Sequence, residues 1–335
     1  MTEVEILAAS NAADRGLRAL ADLAAAAAGA NYRVVGGHMV HLLGRLYPTD
    51  TAARVTADAD AGMDPVAAAD ATFHTALLAR GYRLVTGNHY EAPSGDDTPL
   101  SVDLLVPGTG GRRIERVEYA GRGFDAIPGL TLALAAGPMQ VRVRARLTTG
   151  ETLRFEVPVP GVEQAVVLKA LAWRSRLAAK DVADLCTLLS ITHEHRDRFP
   201  AWKLHTARTG ARKDAARALH ELVAMLDRGQ RIDGLTIAPA RLSGLIRRYV
   251  VDPHTARPPS DTGTAQQIAR DPSGQEALLS ALRAAVSGHP PRSKPGTPGG
   301  SRGSRSIRRK SGGFGVSDWW ARGFEFGMHC RLVGA

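Results

Sequence analysis

The sequence predicts an α+β fold in which a strand-rich first half is followed by helices and then by a basic tail. Short runs typical of strands, such as residues 82–90, 100–106, 130–135 and 140–147, recur up to residue 157. From Val162 onwards the sequence favours helices, first in a long stretch without Gly or Pro and last over residues 264–286. Residues 289–313 are rich in Gly, Ser, Pro and Arg, a composition typical of disorder. We therefore predict three parts, residues 1–160, 161–287 and 288–335.

Composition and the order of residues at the start favour a cytoplasmic protein. Of 335 residues, 44% are hydrophobic and 23% are charged, which is ordinary for a globular chain. Residues 1–5 are acidic and lack the basic-then-apolar order of a signal peptide. The longest apolar run, residues 23–28, is far too short to span a bilayer. With only Cys186 and Cys330, no disulfide framework or cysteine zinc site is indicated.

The net charge of +10 is concentrated in the tail. Seven Lys or Arg residues and no Asp or Glu lie between His289 and Gly312, which leaves +3 for the rest of the chain. A basic tail attracts phosphate groups whatever the base sequence, so it favours an acidic partner such as RNA. The same tail is also compatible with a role in solubility alone.

The first candidate site element is a pair of glycines. Residues 32–35 are predicted to form a short strand that turns on Gly36 and Gly37 into a helix over residues 38–47. Glycines let a phosphate approach the backbone closely, and the helix behind them offers unpaired N–H groups. The pattern therefore favours a phosphate-binding turn.

A cluster of acids is predicted next to that turn. The strand predicted over residues 55–60 carries Asp58 and Asp60, and alternate residues of a strand point to the same face. A cation would offset their mutual repulsion, although a solvated strand end is the commoner interpretation of such a pair. Asp103 is the one charge within the apolar strand 100–106, and an isolated carboxylate there is costly unless something pairs with it. The pair beside a phosphate-binding turn suggests an enzyme that handles a nucleoside triphosphate, and the isolated Asp103 adds support to that interpretation.

The helical stretch over residues 162–189 is predicted either as one helix or as two helices joined near Ala178. At about 100° per residue, one continuous helix brings four charged residues onto one face, namely Lys169, Arg176, Lys180 and Asp184. Asp181 would lie about 120° away and leave that face. The same stripe is also explained by a solvated surface with i,i+4 ion pairs.

Taken together, these motifs resemble those of the polymerase-β-type nucleotidyltransferases. That signature has a glycine pair, two acids on one strand and a third acid on a later strand, as in Val35-Gly36-Gly37, Asp58-Ala59-Asp60 and Val102-Asp103-Leu104. Residues 168–176 and 180–185 resemble the second motif region of the AbiEii-like branch, which includes toxins of toxin–antitoxin systems and toxins that add nucleotides to the 3′ end of tRNA. The resemblance covers residues 31–190. The chain departs from it at Ala59, where Ile or Leu is customary, and in a longer interval before Asp58.

The resemblance implies a mixed-sheet nucleotidyltransferase core that moves a nucleoside monophosphate from an NTP to an acceptor. Asp58, Asp60 and Asp103 would hold two Mg²⁺ ions, unless Asp103 serves as the base. Lys169 would neutralise charge on the phosphates in the transition state, and Asp184 would orient Lys169 or contact the sugar or acceptor. The implied nucleotide-binding residues are Gly36, Gly37, His38, Thr56 and Arg176.

Three functions remain open from the sequence. The resemblance implies transfer to RNA, in particular the 3′ end of tRNA, by a toxin that an antitoxin would neutralise. The mild charge of the chain outside the tail is equally compatible with a small hydroxylated acceptor, as in the antibiotic-modifying branch of the superfamily. A catalytically silent relative that binds a nucleotide or a partner protein is the third reading, and the presence of all three acids argues against it.

Overall fold

A computed structural model describes residues 2–51, 54–108, 113–206 and 209–253. It confirms the α+β class, because these residues form mixed sheets and several helices. They belong to one compact unit that spans Met1–Ser260. The helix predicted over residues 264–286 and the basic tail, residues 288–335, lie outside the described residues. The division at residue 160 therefore stays a prediction.

The bounds of the strands and helices are as follows. In chain order, the strands are β1 (Thr2–Leu7), β2 (Tyr32–Val34), β3 (Asp58–Met63), β4 (Arg83–Thr86), β5 (His89–Ala92), β6 (Leu100–Pro107), β7 (Glu115–Tyr119), β8 (Arg122–Ile127), β9 (Met139–Arg146) and β10 (Thr152–Val159). The α-helices are α1 (Asn11–Ala26), α2 (Gly36–Leu46), α3 (Pro65–Ala69), α4 (Ala71–Leu78), α5 (Leu130–Ala135), α6 (Val162–Arg176), α7 (Ala179–Glu194), α8 (Gly210–Asp227) and α9 (Pro239–Tyr249). Two short 3₁₀ helices follow α7, at Arg196–Arg198 and Leu204–Thr206.

Strand β6 is the centre of the larger sheet, whose order is β2-β3-β6-β5-β4 with β8 and β7 branching from β6. On one edge β6 pairs in parallel with β3. On its other edge it pairs first with β5, antiparallel over residues 100–103, and then with β8, parallel over residues 105–107. A smaller sheet has the order β1-β9-β10. The central position of β6 brings residues of three other strands beside Asp103.

The two faces of the larger sheet differ in character. The apolar face carries small and branched side chains that are buried beneath α1, namely Ala59, Ala61, Val102 and Leu104. Because side chains alternate along a strand, Asp58, Asp60 and Asp103 project from the opposite face. We call that surface the acid face. Helix α5 covers one end of it, where Leu130 fills the space that a side chain at Gly62 would need.

The helices after residue 160 pack on the sheet through α2. Helix α2 contacts β3 as well as α6 and α7. Helix α8 packs against α6, and α9 packs against α7 and α8. Helices α6 and α7 are separate because Leu177 adopts a left-handed conformation, with φ +52°. Of the two readings of residues 162–189, the divided one is therefore confirmed.

Several predicted elements have different bounds or types. The helix that was predicted to begin at residue 38 begins at Gly36, and the strand predicted over residues 55–60 begins at Asp58. Residues 130–135, predicted as a strand, form α5 because their alternating leucines serve equally well as one face of a short helix. Strands β1 and β8 were missed by the sequence prediction.

Among the described residues, no helix is both long enough and apolar enough to cross a membrane.

Gly16 of α1 provides a test of this packing, because a Cβ atom there would lie 2.2 Å from the carbonyl oxygen of Thr56. We expect Gly16→Ala to lower the free energy of unfolding by about 1–3 kcal/mol, since the helix must shift away from the segment that leads into β3. Gly244→Ala is the matched control, because Gly244 also lies within a helix but has nothing within 4 Å of its added Cβ. In that control, the free energy of unfolding measured in urea should rise by about 0.5–1 kcal/mol, because Ala favours a helix more than Gly does. Equal effects at both sites would contradict the close approach.

Candidate active site

The register of three strands assembles the acid face. Asp60 pairs with Asp103 across the parallel β3–β6 ladder, and Asp103 pairs with His89 across the antiparallel β5–β6 ladder. Directly paired residues point to the same face of a sheet, so the three side chains form one row. Asp58 lies two residues before Asp60 and begins the next row. The predicted cluster of three acids is therefore brought together.

Gly36 is required by Asp60. The backbone N–H of Val35 donates to the Asp60 carbonyl oxygen (3.0 Å), which fixes the start of α2 beside β3. Gly36 has φ +63°, in the region that favours glycine, and a Cβ atom there would lie 1.7 Å from Asp60 Oδ2. The sequence suggested that this glycine makes room for a phosphate. In the structure the space it leaves holds the Asp60 carboxylate.

The other predicted nucleotide-binding residues of this region lie behind the surface. Gly37 faces the Thr56 side chain, which is buried and would be 2.7 Å from an added Cβ. His38 is 3% exposed, and its Nε2 lies close to Gly16 of α1. Burial lowers the pKa of His38 to about 3, so the ring is neutral at physiological pH. The His38 side chain is therefore part of the packing behind the acid face.

The pKa values of Asp58 and Asp60 are raised by burial and by neighbouring carboxylates. Burial, followed by the charges of Asp103 and Asp58, raises the pKa of Asp60 to about 7. The surrounding protein and Asp103 also raise the pKa of Asp58, although this side chain is exposed at the edge of the face. Lys180 lowers both pKa values, and Lys169 lowers that of Asp60. A cation placed between these carboxylates would relieve the same repulsion.

His89 offsets part of this negative charge. Its Nδ1 lies 2.8 Å from Asp103 Oδ1, and its Nε2 lies 3.3 Å from Glu91 Oε1. These bonds, with that to Asp103 the strongest, raise the pKa of His89 to about 9. The imidazole is therefore protonated at neutral pH, and each ring nitrogen donates to a carboxylate.

A buried network of charges lies on α6 and α7. Lys169 Nζ is 2.7 Å from Asp184 Oδ2 and 3.7 Å from Asp181 Oδ1. Arg176 makes a two-pronged bond to Asp181, at 2.7 and 2.6 Å. Arg54, on the segment before β3, donates from Nε to Asp184 Oδ1 at 3.1 Å. Because Lys169, Asp181 and Asp184 are almost fully buried, each charge depends on its partners.

The arrangement of this network decides between two earlier interpretations. The charged residues of α6 do not form a solvated stripe, because Lys169 is only 3% exposed. Asp181, which would leave the face of a continuous helix, is instead central to the network. The break at Leu177 turns α7 back so that Asp181 meets Arg176. The predicted pairing of Asp184 with Lys169 is present.

The network presents positive charge to the acid face. Lys169, Lys180 and Arg176 interact electrostatically with Asp60, and Lys180 and Arg54 do so with Asp58. Burial lowers the pKa of Lys180, and the neighbouring Arg176 adds to this effect. Carboxylates on a sheet thus lie opposite cationic side chains on helices. Such a site can hold a divalent cation on one side and an anionic group on the other.

The acid face can supply part of a metal site. In the described ranges, no three His, Cys, Asp or Glu side chains are arranged so that they could hold a metal ion by themselves. Mg²⁺ is commonly held by one or two carboxylates, with water and substrate phosphates completing the shell. Asp58 and Asp60 are hard oxygen donors on adjacent positions of one face, and the raised pKa of Asp60 reflects repulsion that a cation would remove. The donor set fits Mg²⁺ bound together with a phosphate.

Sequence reasoning missed three residues of this site, His89, Arg54 and Asp181. His89 and Glu91 alternate with the buried Tyr90 and Ala92, but the sequence was interpreted as one strand that ended at residue 90. Arg54 follows no recognised pattern. Asp181 was considered but excluded from the charged face, because the calculation of about 100° per residue assumed one continuous helix over residues 162–189.

Comparison with known proteins adds a distant structural likeness. No protein-family model matches the chain, and no curated protein does. Among solved structures, JHP933 from Helicobacter pylori matches with a TM-score of 0.38 and 12% sequence identity, over 82% of this chain and 100% of JHP933. A likeness this distant carries no argument about the function of this chain.

The raised pKa of Asp60 predicts how stability changes with pH. A carboxyl group whose pKa rises on folding stabilises the folded state most below its unfolded pKa, and that contribution is lost as pH rises towards 7. Asp60→Asn should therefore gain stability relative to the wild type between about pH 4 and pH 8. Urea unfolding in the presence of a chelator measures the difference. For Asp233→Asn, at the exposed Arg231–Asp233 pair, the stability difference from the wild type should not increase between about pH 4 and pH 8. A pH-independent difference for Asp60→Asn would contradict the electrostatic account.

Removal of Asp184 tests the buried network. Asp184→Asn removes the carboxylate nearest to Lys169 and the one bonded to Arg54, so we expect the free energy of unfolding to fall by about 3 kcal/mol or more. Denaturant unfolding at neutral pH is the measurement. Asp233→Asn serves again as the control, because its pair with Arg231 is largely solvated. A loss no larger than that of the control would mean that the network is not coupled to the fold.

Proposed function

We propose that this protein is a Mg²⁺-dependent nucleotidyltransferase, which moves a nucleoside monophosphate from an NTP to the hydroxyl of an acceptor. The observation that carries the proposal is the pairing of Asp60 with Asp103 beside Asp58, opposite the buried Lys169. Clustered carboxylates facing a fixed cation suit phosphoryl chemistry, because a triphosphate needs both a metal ion and a positive group. The resemblance of the motifs to nucleotidyltransferases supports the same reading.

The carboxylates would hold the metal ion. Asp58 and Asp60 would bind Mg²⁺ together with the triphosphate, and Asp103 would contribute its oxygen or accept the proton of the attacking hydroxyl. Bound Mg²⁺ would polarise the phosphate and stabilise the attacking and leaving oxygens. Asp103 is the strand partner of both Asp60 and His89, so it lies at the centre of the acid face.

The cations on the helices would bind the phosphates. Lys169 is held by Asp184, so its ammonium group keeps one position and loses little freedom when a phosphate arrives. Arg176 is held in the same way by Asp181. These groups would offset the charge that develops on the leaving pyrophosphate. Asp184 would thereby act as the residue that orients Lys169.

RNA is the acceptor that we propose first, because the net positive charge of the chain would attract a polyanion. A 3′-terminal hydroxyl of RNA would attack the α-phosphate, and the products would be extended RNA and pyrophosphate. A toxin that modifies the 3′ end of tRNA is the specific form of this activity that the resemblance implies, and a cognate antitoxin would then be its partner. A small hydroxylated acceptor is the alternative outcome of the experiment below.

The direct test is a transfer assay with Mg²⁺, each α-labelled NTP in turn, and total bacterial RNA. We expect label to enter RNA, and Asp58→Asn to reduce the rate by about 10²-fold or more because the metal-binding pair is broken. Asp97→Asn, in an exposed loop after β5, is the matched control and should keep the wild-type rate. The same assay with small polyhydroxylated compounds tests the alternative. Absence of transfer to any acceptor, together with unchanged NTP binding in Asp58→Asn, would overturn the proposal.

A further inference from the structure

His89 occupies a defined place beside the third carboxylate. Its strand partner is Asp103, and the next pair on the same face of these two strands is Glu91 with Ser101. The imidazole bonds to Asp103 Oδ1 on β6 and to Glu91 Oε1 on its own strand, β5. Glu91 is in turn bonded to Arg83 of β4 (3.1 Å). The ring is therefore held at both nitrogens by groups of its own sheet.

The bond to Asp103 restricts how that carboxylate can turn. The terminal torsion of an Asp side chain is broad, so an unrestrained Asp103 could present either oxygen in many directions. With Oδ1 bonded to His89, only Oδ2 remains for the side that faces Asp60. Asp103 is about one quarter exposed (26%), so surrounding side chains alone would not hold it.

We propose that His89 is a positioning residue, which holds Asp103 Oδ1 so that Oδ2 faces the Asp58–Asp60 pair. This inference rests on the proposed function for its catalytic consequence, but its structural part does not. Hydrogen bonds from outside a metal site orient the ligating groups, and their loss commonly reduces metal affinity or activity by about 10- to 100-fold. His89 has that relation to Asp103.

Two amide substitutions separate the two bonds of the ring. Asn places its side-chain nitrogen near the position of His Nδ1, so His89→Asn keeps a donor for Asp103 and loses the bond to Glu91. Gln places its nitrogen near the position of Nε2, so His89→Gln keeps the bond to Glu91 and loses the bond to Asp103. His89→Ala loses both. The inference predicts that activity follows the donor to Asp103.

The measurements are kcat, KM for the NTP and Mn²⁺ affinity by electron paramagnetic resonance. We expect His89→Ala and His89→Gln to lower kcat by about 10- to 100-fold with little change in KM, and to weaken Mn²⁺ binding. His89→Asn should recover most of the lost kcat. His193→Ala is the matched control, because His193 Nδ1 makes a bond of the same length, 2.8 Å, to Tyr249 on the helices. That variant should keep the wild-type kcat and Mn²⁺ affinity.

Each outcome bears on the inference separately from the proposed function. If the wild type transfers nucleotides and the Asn and Gln variants behave alike, the inference is overturned while the function stands. If the wild type transfers nothing, the proposed function fails, and the Mn²⁺ affinities of the same variants decide the inference. Weaker Mn²⁺ binding by His89→Ala and His89→Gln, but not by His89→Asn, would then support the inference. Equal Mn²⁺ affinities in all variants, or no Mn²⁺ binding by the wild type, would overturn it.

Discussion

The parallel pairing of β3 with β6 is the constraint on which the candidate site depends. Asp60 meets Asp103 only in the observed register, and a slip of one residue would turn Asp103 towards α1 and Val102 towards solvent. The apolar face prevents that slip, because Ala59 and Val102 must stay buried beneath α1. The hydrophobic core therefore holds three like charges together, although their mutual repulsion opposes it. Local stability is lower at this point, as is common at functional sites.

Cationic side chains on α6 and α7 offset part of that repulsion. Where their own charges are buried, they need carboxylate partners. Lys169 lies within the protein because Asp184 and Asp181 neutralise it, and these in turn bind Arg54 and Arg176. Replacing such a network with apolar residues often stabilises a protein, so its presence is weak evidence for a purely structural role. The network also joins the segment before β3 to α7, so the acid face and its opposing cations are held by the same contacts. A site assembled from both halves of the chain gains precision from this connection.

The sequence predicts those parts of the site that depend on the local residue pattern. It misses those that depend on which strands pair with each other and in which register. Asp58 and Asp60 are recognisable because alternation along one strand is a local property. The contact of His89 with Asp103 is not, because it requires knowing that β5 pairs with β6 and in which register. Asp181 was lost for a similar reason, since a single left-handed residue, Leu177, changes the direction of the following helix. The α+β class itself was recoverable because it follows from the order of strands and helices alone.

The start of α2 bears on how the proposed metal ion and a phosphate would bind together. Helix N-termini favour anions, and the Asp60 carboxylate already occupies the space next to Gly36 at this one. A phosphate that approached the first turn of α2 would meet a carboxylate of the same sign at close range. Either Asp60 must take up a proton, which its raised pKa makes easier, or a cation must lie between the two anions. A divalent ion shared by the carboxylate and the phosphate satisfies both, whereas a proton would remove the charge that holds the ion. The glycine at residue 36 is therefore better explained by the carboxylate than by direct phosphate contact, and under that arrangement phosphate binding would depend on the metal.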